Sequence, residues 1–131
     1  MVAYNFKERF AEKVRDGSKC QTVRGQRDRH ARPGEPLQLY TEQRTKQCEK
    51  LITPDPICLS VEEIQITINN DLVVISGWIL PPNKQEGFAI ADGFESYAEF
   101  LAFFAETHGF NFEGVLIKWK PPLDRRAEVQ L

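Results

Sequence analysis

The sequence predicts an α+β fold in which a small β-barrel or a strongly bent mixed sheet is flanked by about two helices. Three observations indicate this fold: two helical patterns near the ends of the chain, several short alternating strands between them, and turn residues that separate the strands. The length of 131 residues suits one domain with one core. We therefore predict a single domain over residues 1–131, in which residues 121–131 form a loose tail.

The first helix is predicted by Phe6, Phe10 and Val14, which recur every four residues. Asp16 and Gly17 close this pattern, and glycine is the residue that most often caps a helix at its carboxyl end. The segment that follows, Gly17–Arg24, predicts a turn and then a strand. In an extended strand Thr22 and Arg24 point to the same face, with Lys19 in the turn beside them.

The middle of the chain predicts a loop and then a series of strands. Residues 25–36 are polar and rich in arginine, with Gly25, Pro33 and Gly34, which indicates a long exposed loop. A strand over Leu37–Tyr40 and a polar turn to Lys46 follow. Residues 57–68 and 72–80 predict a hairpin across the turn residues Asn69–Asp71, with a bulge at Glu62–Glu63 and an end at Pro81–Pro82.

The second helix is predicted by a capping box, with Ser96 at the N-cap and Glu99 three residues later. Phe100 and the apolar residues after it form the buried face, and the helix ends at His108–Gly109. His108 is predicted to favour the helix C-terminus through the dipole. A last strand is predicted over residues 113–120, and we expect Trp78 and Trp119 to lie in the core.

Positive charge is concentrated in the first half of the chain. Residues 1–60 hold 12 Lys and Arg against 8 Asp and Glu, whereas residues 61–117 hold 9 acidic residues and one basic residue. One cluster spans fourteen residues with only Asp28 opposing it, and its members are Lys19, Arg24, Arg27, Arg29 and Arg32. Such a cluster can attract a phosphate backbone. It can equally be a solvated loop whose arginines pair with the acidic second half.

Four motifs in the right order resemble the ASCH domain, a branch of the PUA-like β-barrel superfamily. The resemblance covers roughly residues 4–120, and the ordered set carries it rather than any single motif. The motifs are Gly17-x-Lys19-x-x-Thr22-x-Arg24, Gly34-x-x-Leu37 before a strand, Ala91-Asp92-Gly93-Phe94 before a capped helix, and Gly114-x-x-x-Lys118-Trp119.

The resemblance implies a pocket where Gly17–Arg24 meets the Asp92 segment, used by PUA-like domains on RNA or modified nucleosides. One type in the family is an N4-acetylcytidine amidohydrolase with a lysine, a threonine and a glutamate as catalytic residues. Carried over, these roles fall on Lys19, Thr22 and Asp92. Aspartate is one methylene shorter than the family's glutamate and its alignment needs a one-residue shift, while Cys20 stands where that enzyme has a threonine.

The side chains of Lys19, Thr22, Arg24 and Asp92 are by themselves suited to amide hydrolysis. A threonine hydroxyl needs a base to become a nucleophile, and Lys19 can be that base if burial or the cation of Arg24 lowers its pKa. Asp92 would then donate a proton to the leaving amine, and Arg24 or a backbone N–H would stabilise the oxyanion. The plain alternative is structural: Lys19 and Arg24 form ion pairs, Thr22 favours a strand, and Asp92 caps a turn.

Three functions therefore remain open. In the first, the chain binds RNA or a modified nucleoside through Arg24, Arg27, Arg29, Arg32 and Phe94. Phe94 can stack on a base or pack on Phe100. In the second, the chain hydrolyses an acylated nucleoside with the catalytic residues Lys19, Thr22 and Asp92. In the third, it is a ribonuclease that uses Lys19 and Arg24 on the scissile phosphate.

Other classes are not indicated. Cys20, Cys48 and Cys58 lack the spacing of a zinc site or a disulfide framework, so we expect free thiols, no metal and no cofactor. No apolar run reaches the roughly 20 residues that span a bilayer, and the amino terminus lacks the apolar core of a signal peptide. We therefore expect a cytoplasmic protein without a membrane partner.

Overall fold

The computed structural model describes residues 2–121, which form eight strands and three helices in an α+β arrangement. The predicted fold class is confirmed at this level. The predicted tail lies outside the described residues from position 122 onward. In chain order the elements are β1 (Val2–Phe6), α1 (Glu8–Asp16), β2 (Gln21–Gly25), β3 (Leu37–Thr41), β4 (Glu49–Lys50), β5 (Cys58–Thr67), β6 (Leu72–Ile75), β7 (Trp78–Ile79), α2 (Pro82–Ala91), α3 (Tyr97–His108) and β8 (Asn111–Trp119).

The strands form two sheets. The smaller sheet has the order β1-β3-β4 and is mixed, because β1 runs parallel to β3 while β4 runs antiparallel. The larger sheet has the order β2-β8-β5-β6-β7 and is antiparallel throughout. A bridge between Pro36 and Ile57 joins the two sheets, and the strands of residues 2–121 do not close into a barrel.

Three helices are present in the described residues where the sequence predicted about two. The additional helix, α2, has no amphipathic repeat, because its apolar residues Phe88–Ala91 follow one another and only Ala89 is buried. Pro81 and Pro82 were interpreted as the end of a strand. Proline also begins helices, because its missing N–H has no partner in the first turn, and here Pro82 is the first residue of α2.

The predicted strand over residues 72–80 is two strands separated by a tight turn at Ser76–Gly77. Trp78 consequently lies on the two-residue edge strand β7 and is 80% exposed, so its predicted place in the core is wrong. Trp119, the last residue of β8, is 1% exposed as predicted. The predicted bulge at Glu62–Glu63 is also misplaced, since the register of β5 shifts between Cys58 and Ser60.

The core is formed by side chains from both sheets and from the helices, and its fully buried members include Tyr4, Leu37, Leu39, Ile64, Ile66, Phe100, Leu116 and Trp119. Each such side chain contributes about 1.5–3 kcal/mol relative to an exposed one. The capping box of α3 is confirmed in part, because the Ser96 hydroxyl accepts a hydrogen bond from the Glu99 N–H at 3.0 Å. The Glu99 carboxylate instead accepts from Arg9, which fastens α3 to α1.

Two helix ends meet at the site described below. Helix α1 ends at Gly17, whose φ of 85° is the left-handed conformation that favours glycine, as the sequence predicted. The chain then turns so that the Lys19 N–H donates to Lys13 O at 2.9 Å and β2 begins. Helix α2 ends at Asp92, and the Phe94 N–H donates back to Ala89 O at 2.9 Å. These two turns bring Lys19 and Asp92 together across 73 positions of sequence.

Candidate functional site

A cavity of about 450 Å³ lies between β1, α1, β2 and the segment that joins α2 to α3. Its polar lining residues, called the polar wall below, are Asn5, Lys7, Lys19, Thr22, Arg24 and Asp92. Its aromatic lining residues, called the aromatic wall below, are Phe6, Phe10, Phe94, Phe103, Phe104 and His108. The structure therefore brings together the three predicted catalytic residues and two of the predicted binding residues, Arg24 and Phe94.

Lys19 and Asp92 form a buried ion pair at the base of the polar wall. Both residues are only 3% exposed. Lys19 Nζ donates to the Asp92 backbone carbonyl at 2.5 Å and lies 3.4 Å from Asp92 Oδ1, and Gln21 Nε2 lies 3.4 Å from the same carboxylate oxygen. Lys19 thus neutralises a carboxylate and also satisfies a carbonyl at the C-terminus of α2, where a cation is favoured.

Gly93 makes this approach possible. Its φ of +97° lies in the left-handed region, and a Cβ placed there would lie 3.0 Å from Lys19 Cδ and 3.0 Å from Phe10 Cδ1. Any larger residue would push the lysine side chain or the phenyl ring away. The close approach of Lys19 and Phe10 therefore explains why a glycine stands between Asp92 and Phe94.

The protonation of the pair is set by burial. Burial lowers the pKa of Lys19, and the nearby Asp92 carboxylate opposes that shift. Burial likewise raises the pKa of Asp92, against the attraction of Lys19 and the hydrogen bond from Gln21. Burial therefore moves the two pKa values toward each other.

Thr22 and Arg24 share one face of β2, as the alternation of the strand predicted. Arg24 Nε donates to Thr22 Oγ1 at 2.9 Å, and Arg24 Nη2 donates to Asn5 O at 2.8 Å. The guanidinium carbon lies 4.8 Å from the centroid of the Phe6 ring. Burial lowers the pKa of Arg24 to about 10, which leaves the side chain protonated at neutral pH.

This geometry directs the proton of the Thr22 hydroxyl. A guanidinium has only donors, so Thr22 Oγ1 accepts from Arg24, and its own proton is free for another acceptor. Within residues 2–121 no hydrogen bond joins Thr22 to Lys19, whose Nζ donates to Asp92. The polar wall thus offers the threonine O–H and the arginine N–H groups as donors and the Asp92 carboxylate as an acceptor.

The predicted binding residues of the arginine loop do not line the cavity. Arg27 Nε donates to Arg29 O at 2.8 Å, and both Nη atoms of Arg27 lie 3.4 Å from Ala3 O. Arg24 donates to Asn5 O, two residues further along the edge strand β1. The guanidinium groups of Arg27 and Arg24 therefore donate to alternate carbonyls of this strand. These arginines close the unpaired side of β1 against the loop and β2.

Arg29 and Arg32 lie further out and both contact Glu35. The Arg29 guanidinium forms an ion pair with the Glu35 carboxylate, and the Arg32 backbone N–H donates to Glu35 Oε1 at 2.7 Å. Their partner is thus in the first half of the chain rather than in the acidic second half. Among residues 2–121, the pairs that do reach the second half are Arg9 with Glu99 and Lys13 with Glu95, both from α1, and Lys19 with Asp92.

Phe94 is buried and forms part of the aromatic wall. Its ring packs edge-to-face on Phe10 with centroids 5.2 Å apart and on Phe100 with centroids 5.5 Å apart. The packing on Phe100 is the structural alternative that the sequence left open. Because the ring also lines the cavity, this contact leaves the side chain next to any ligand there.

Several residues of the site carried no usable signal in the sequence. Asn5 contributes a backbone carbonyl, which any residue would supply. Gln21 precedes Thr22 in β2 and is expected from strand alternation to point to the other face, yet its amide reaches Asp92. His108 stacks on Phe104 at 5.4 Å and lines the cavity, while Gly109 is the residue that caps α3.

No family model, curated protein or solved structure matches the chain. None of the helices in residues 2–121 combines the length and the apolar character needed to cross a bilayer.

Proposed function

We propose that the chain is an ASCH domain of the PUA-like type that binds a modified nucleoside, free or in RNA, in the cavity between Lys19, Thr22, Arg24 and Asp92. The observation that carries the proposal is the pairing of an aromatic wall with a polar wall that has both donors and a carboxylate. A volume of about 450 Å³ falls in the range of small-molecule sites.

The two walls suit the two parts of a nucleobase. Aromatic side chains such as Phe10 and Phe94 accept the flat face of a base through stacking or edge contacts. On the polar wall, the Thr22 hydroxyl and the Arg24 guanidinium can donate to a base or acyl carbonyl, and Asp92 can accept from an amine or amide N–H. A ligand that presents a carbonyl beside an N–H therefore fits best.

The arginine loop favours a single nucleoside over a long phosphate backbone. Arg24 and Arg27 are engaged with carbonyls of β1, and Arg29 is engaged with Glu35. To grip phosphates, Arg27 and Arg29 would have to exchange those partners. In RNA, we infer that the cavity takes one exposed nucleoside and that the loop adds weaker contacts.

The binding proposal is tested by titrating the protein with N4-acetylcytidine and with cytidine, followed by amide chemical shifts. We expect saturable shifts at residues of both walls. Thr22→Val, which keeps the shape and removes the hydroxyl, should weaken binding about 10-fold, as expected for one hydrogen bond to a ligand. Thr45→Val, a matched change at an exposed threonine outside the cavity, should leave binding unchanged. Shifts that spread without saturation, or equal effects of the two variants, would sink the proposal.

A second candidate is an amidohydrolase that acts on an N4-acylated cytidine. It is favoured by one observation, the Thr22 hydroxyl held by Arg24 beside a lysine whose pKa is lowered by burial. A proton would first pass from Lys19 to Asp92, which leaves a neutral amine and a protonated carboxyl. Thr22 Oγ1 would then attack the acyl carbonyl while Lys19 takes the hydroxyl proton. The C–N4 bond then breaks, the cytidine amine leaves with a proton from Asp92, and water hydrolyses the threonine ester to acetate. Lys19 Nζ must first turn from Asp92 O toward Thr22.

Turnover separates this candidate from binding alone. The amidohydrolase would release cytidine and acetate in equal amounts, Thr22→Ser would keep part of the rate, and Thr22→Val would abolish it. Binding without any release of acetate would rule out the hydrolase for this substrate. Cleavage of single-stranded RNA without added metal would instead support the ribonuclease function that the sequence left open.

A further inference from the structure

His30 lies in the arginine loop, outside the cavity, and has two hydrogen-bond partners on different strands. His30 Nε2 lies 2.8 Å from Gly25 O, at the end of β2, and His30 Nδ1 lies 2.9 Å from the hydroxyl of Tyr4, in β1. The two rings are nearly parallel, at 7°, with centroids 5.9 Å apart. The Tyr4 hydroxyl also accepts from the Ala31 N–H at 3.2 Å. The imidazole therefore links the end of β2 to the middle of β1.

The partners determine the proton positions on the ring. Gly25 O can only accept, so Nε2 carries a hydrogen. Tyr4 accepts from the Ala31 N–H, so its own proton points to Nδ1, which accepts it. The three bonds and a partner for the Tyr4 proton are all provided together only when His30 is neutral with its hydrogen on Nε2.

The same two strands hold Arg24 in the cavity. Gly25 follows Arg24 directly, and Tyr4 precedes Asn5, whose carbonyl accepts from Arg24. The Tyr4 ring also lies beneath two guanidinium groups, with the carbon of Arg24 at 5.4 Å from its centroid and that of Arg27 at 4.6 Å. A displacement of Tyr4 or Gly25 would thus move the donor that holds Thr22.

We propose that His30 is a positioning residue for the pocket: its neutral ring clamps β2 to β1 and so holds Arg24 on Thr22, and its protonation releases the clamp and weakens the pocket in acid. A proton on Nδ1 turns the acceptor for Tyr4 into a donor. The Tyr4 hydroxyl would then face two donors and leave its own proton without a partner inside the protein.

The charges around His30 also oppose its protonation. It faces Tyr4 from β1, Arg24 from β2 and Arg27 from the loop, while Cys58 of β5 lies near the Tyr4 hydroxyl. Burial lowers the pKa of His30, the hydrogen bond to Gly25 O opposes that shift, and the cations of Arg27 and Arg24 add to the lowering. Because the folded pKa is lowered, the contribution of the clamp is complete above about pH 6.5 and is lost as the pH falls through the folded pKa.

The experiment follows the side-chain nitrogens of His30 and Arg24 by NMR from pH 7.5 to pH 5, without ligand, in the wild type. We expect His30 as the neutral form with its hydrogen on Nε2 at pH 7.5. On protonation, exchange of the Arg24 Nε–H with water should become about tenfold faster at the same midpoint, beyond the ordinary dependence of exchange on pH. Full titration of His30 with an unchanged Arg24 signal would overturn the proposal, as would a hydrogen on Nδ1 at pH 7.5.

A pair of variants separates positioning from general stability. Tyr4→Phe keeps the ring beneath the arginines but removes the hydroxyl, and Arg24 exchange should then no longer follow the titration of His30. Tyr40→Phe makes the same change in β3 and should leave the coupling intact. A coupling that survives Tyr4→Phe would contradict the clamp. These measurements need no nucleoside, so they stand apart from the failure or success of the proposed function.

Discussion

Two groups of cations that are neighbours in the sequence have different environments in the fold. Lys19 and Arg24 lie in the polar wall of the cavity, where burial lowers the pKa of both side chains. Lys19 is hydrogen-bonded to Asp92, and Arg24 is hydrogen-bonded to Thr22. Arg29 and Arg32, only a few residues later, lie in the exposed loop and share one acid, Glu35. The difference teaches that charge density along a chain does not identify the charges that line a cavity.

The comparison also explains which charge is costly to remove. A buried ion that loses its partner keeps its desolvation penalty, whereas an exposed ion is stabilised by water. We therefore expect changes in the cavity wall to affect both stability and ligand binding. Changes in the loop should have small effects on either.

The largest effect is expected for Lys19→Ala. This change leaves the Asp92 carboxylate and a helix-terminal carbonyl buried without their cation, and removal of one member of a buried pair costs about 3–5 kcal/mol. Unfolding in urea measures the loss. The matched control is Arg32→Ala in the loop, expected to cost less than about 0.5 kcal/mol.

A double change sharpens this prediction. Lys19→Met with Asp92→Asn removes both charges and keeps the volume, so it should recover most of the stability that Lys19→Ala loses. If the double variant is as unstable as Lys19→Ala, the loss comes from packing and the ion pair is not its cause.

An intermediate effect is expected for Arg24→Lys, which keeps the charge but loses the forked donor. One ammonium cannot reach both Thr22 Oγ1 and Asn5 O with the geometry of the guanidinium. Nucleoside affinity should fall about 10- to 100-fold, in line with about 1.5–3 kcal/mol for hydrogen bonds to a charged group. Calorimetric titration measures the nucleoside affinity of the variant and of the wild type. Arg27→Lys, which is outside the cavity, should change affinity less than about threefold, and equal losses in the two variants would remove the distinction between wall and loop.

The smallest effect is expected for Arg29→Ala, and it should depend on pH. The hydrogen bond from the Arg32 backbone and the ion pair with Arg29 lower the pKa of Glu35. A lowered carboxyl pKa contributes stability above about pH 4.5, which is lost as the pH falls through the folded pKa. Arg29→Ala should therefore lower the melting temperature slightly at pH 7 and not at pH 3. If Arg29→Ala lowers the melting temperature more at pH 3 than at pH 7, the ion pair with Glu35 is not the cause of the loss.

The elements that could be predicted from the sequence are those defined by local patterns. Helices α1 and α3 and the strands β2 and β3 each have a repeat or a cap within a few residues, such as Gly17 and Ser96. Helix α2 lacks such a repeat, and the split between β6 and β7 depends on a turn at Ser76 and Gly77 inside an apolar run. The exposure of Trp78 follows from that turn, so it could not be predicted from hydrophobicity.

The site was predictable to the extent that its residues share one strand or one motif. Thr22 and Arg24 follow from alternation along β2, and Lys19 and Asp92 follow from the resemblance to the ASCH domain. The bonds to Asn5 O, Ala3 O and Gly25 O could not be predicted, because a backbone carbonyl leaves no mark in the sequence. For the same reason Arg27 and His30 had no visible partners.

The account is tested most directly by the affinity of N4-acetylcytidine for the wild type, Arg24→Lys and Arg29→Ala at 50 mM and 200 mM salt. An uncharged ligand releases no counterions, so we expect saturable binding that changes less than about twofold with salt, is weakened by Arg24→Lys and is unaffected by Arg29→Ala. Absence of saturable binding to the wild type, or affinity that depends on Arg29 as much as on Arg24, would contradict the claim that the buried wall is the nucleoside site.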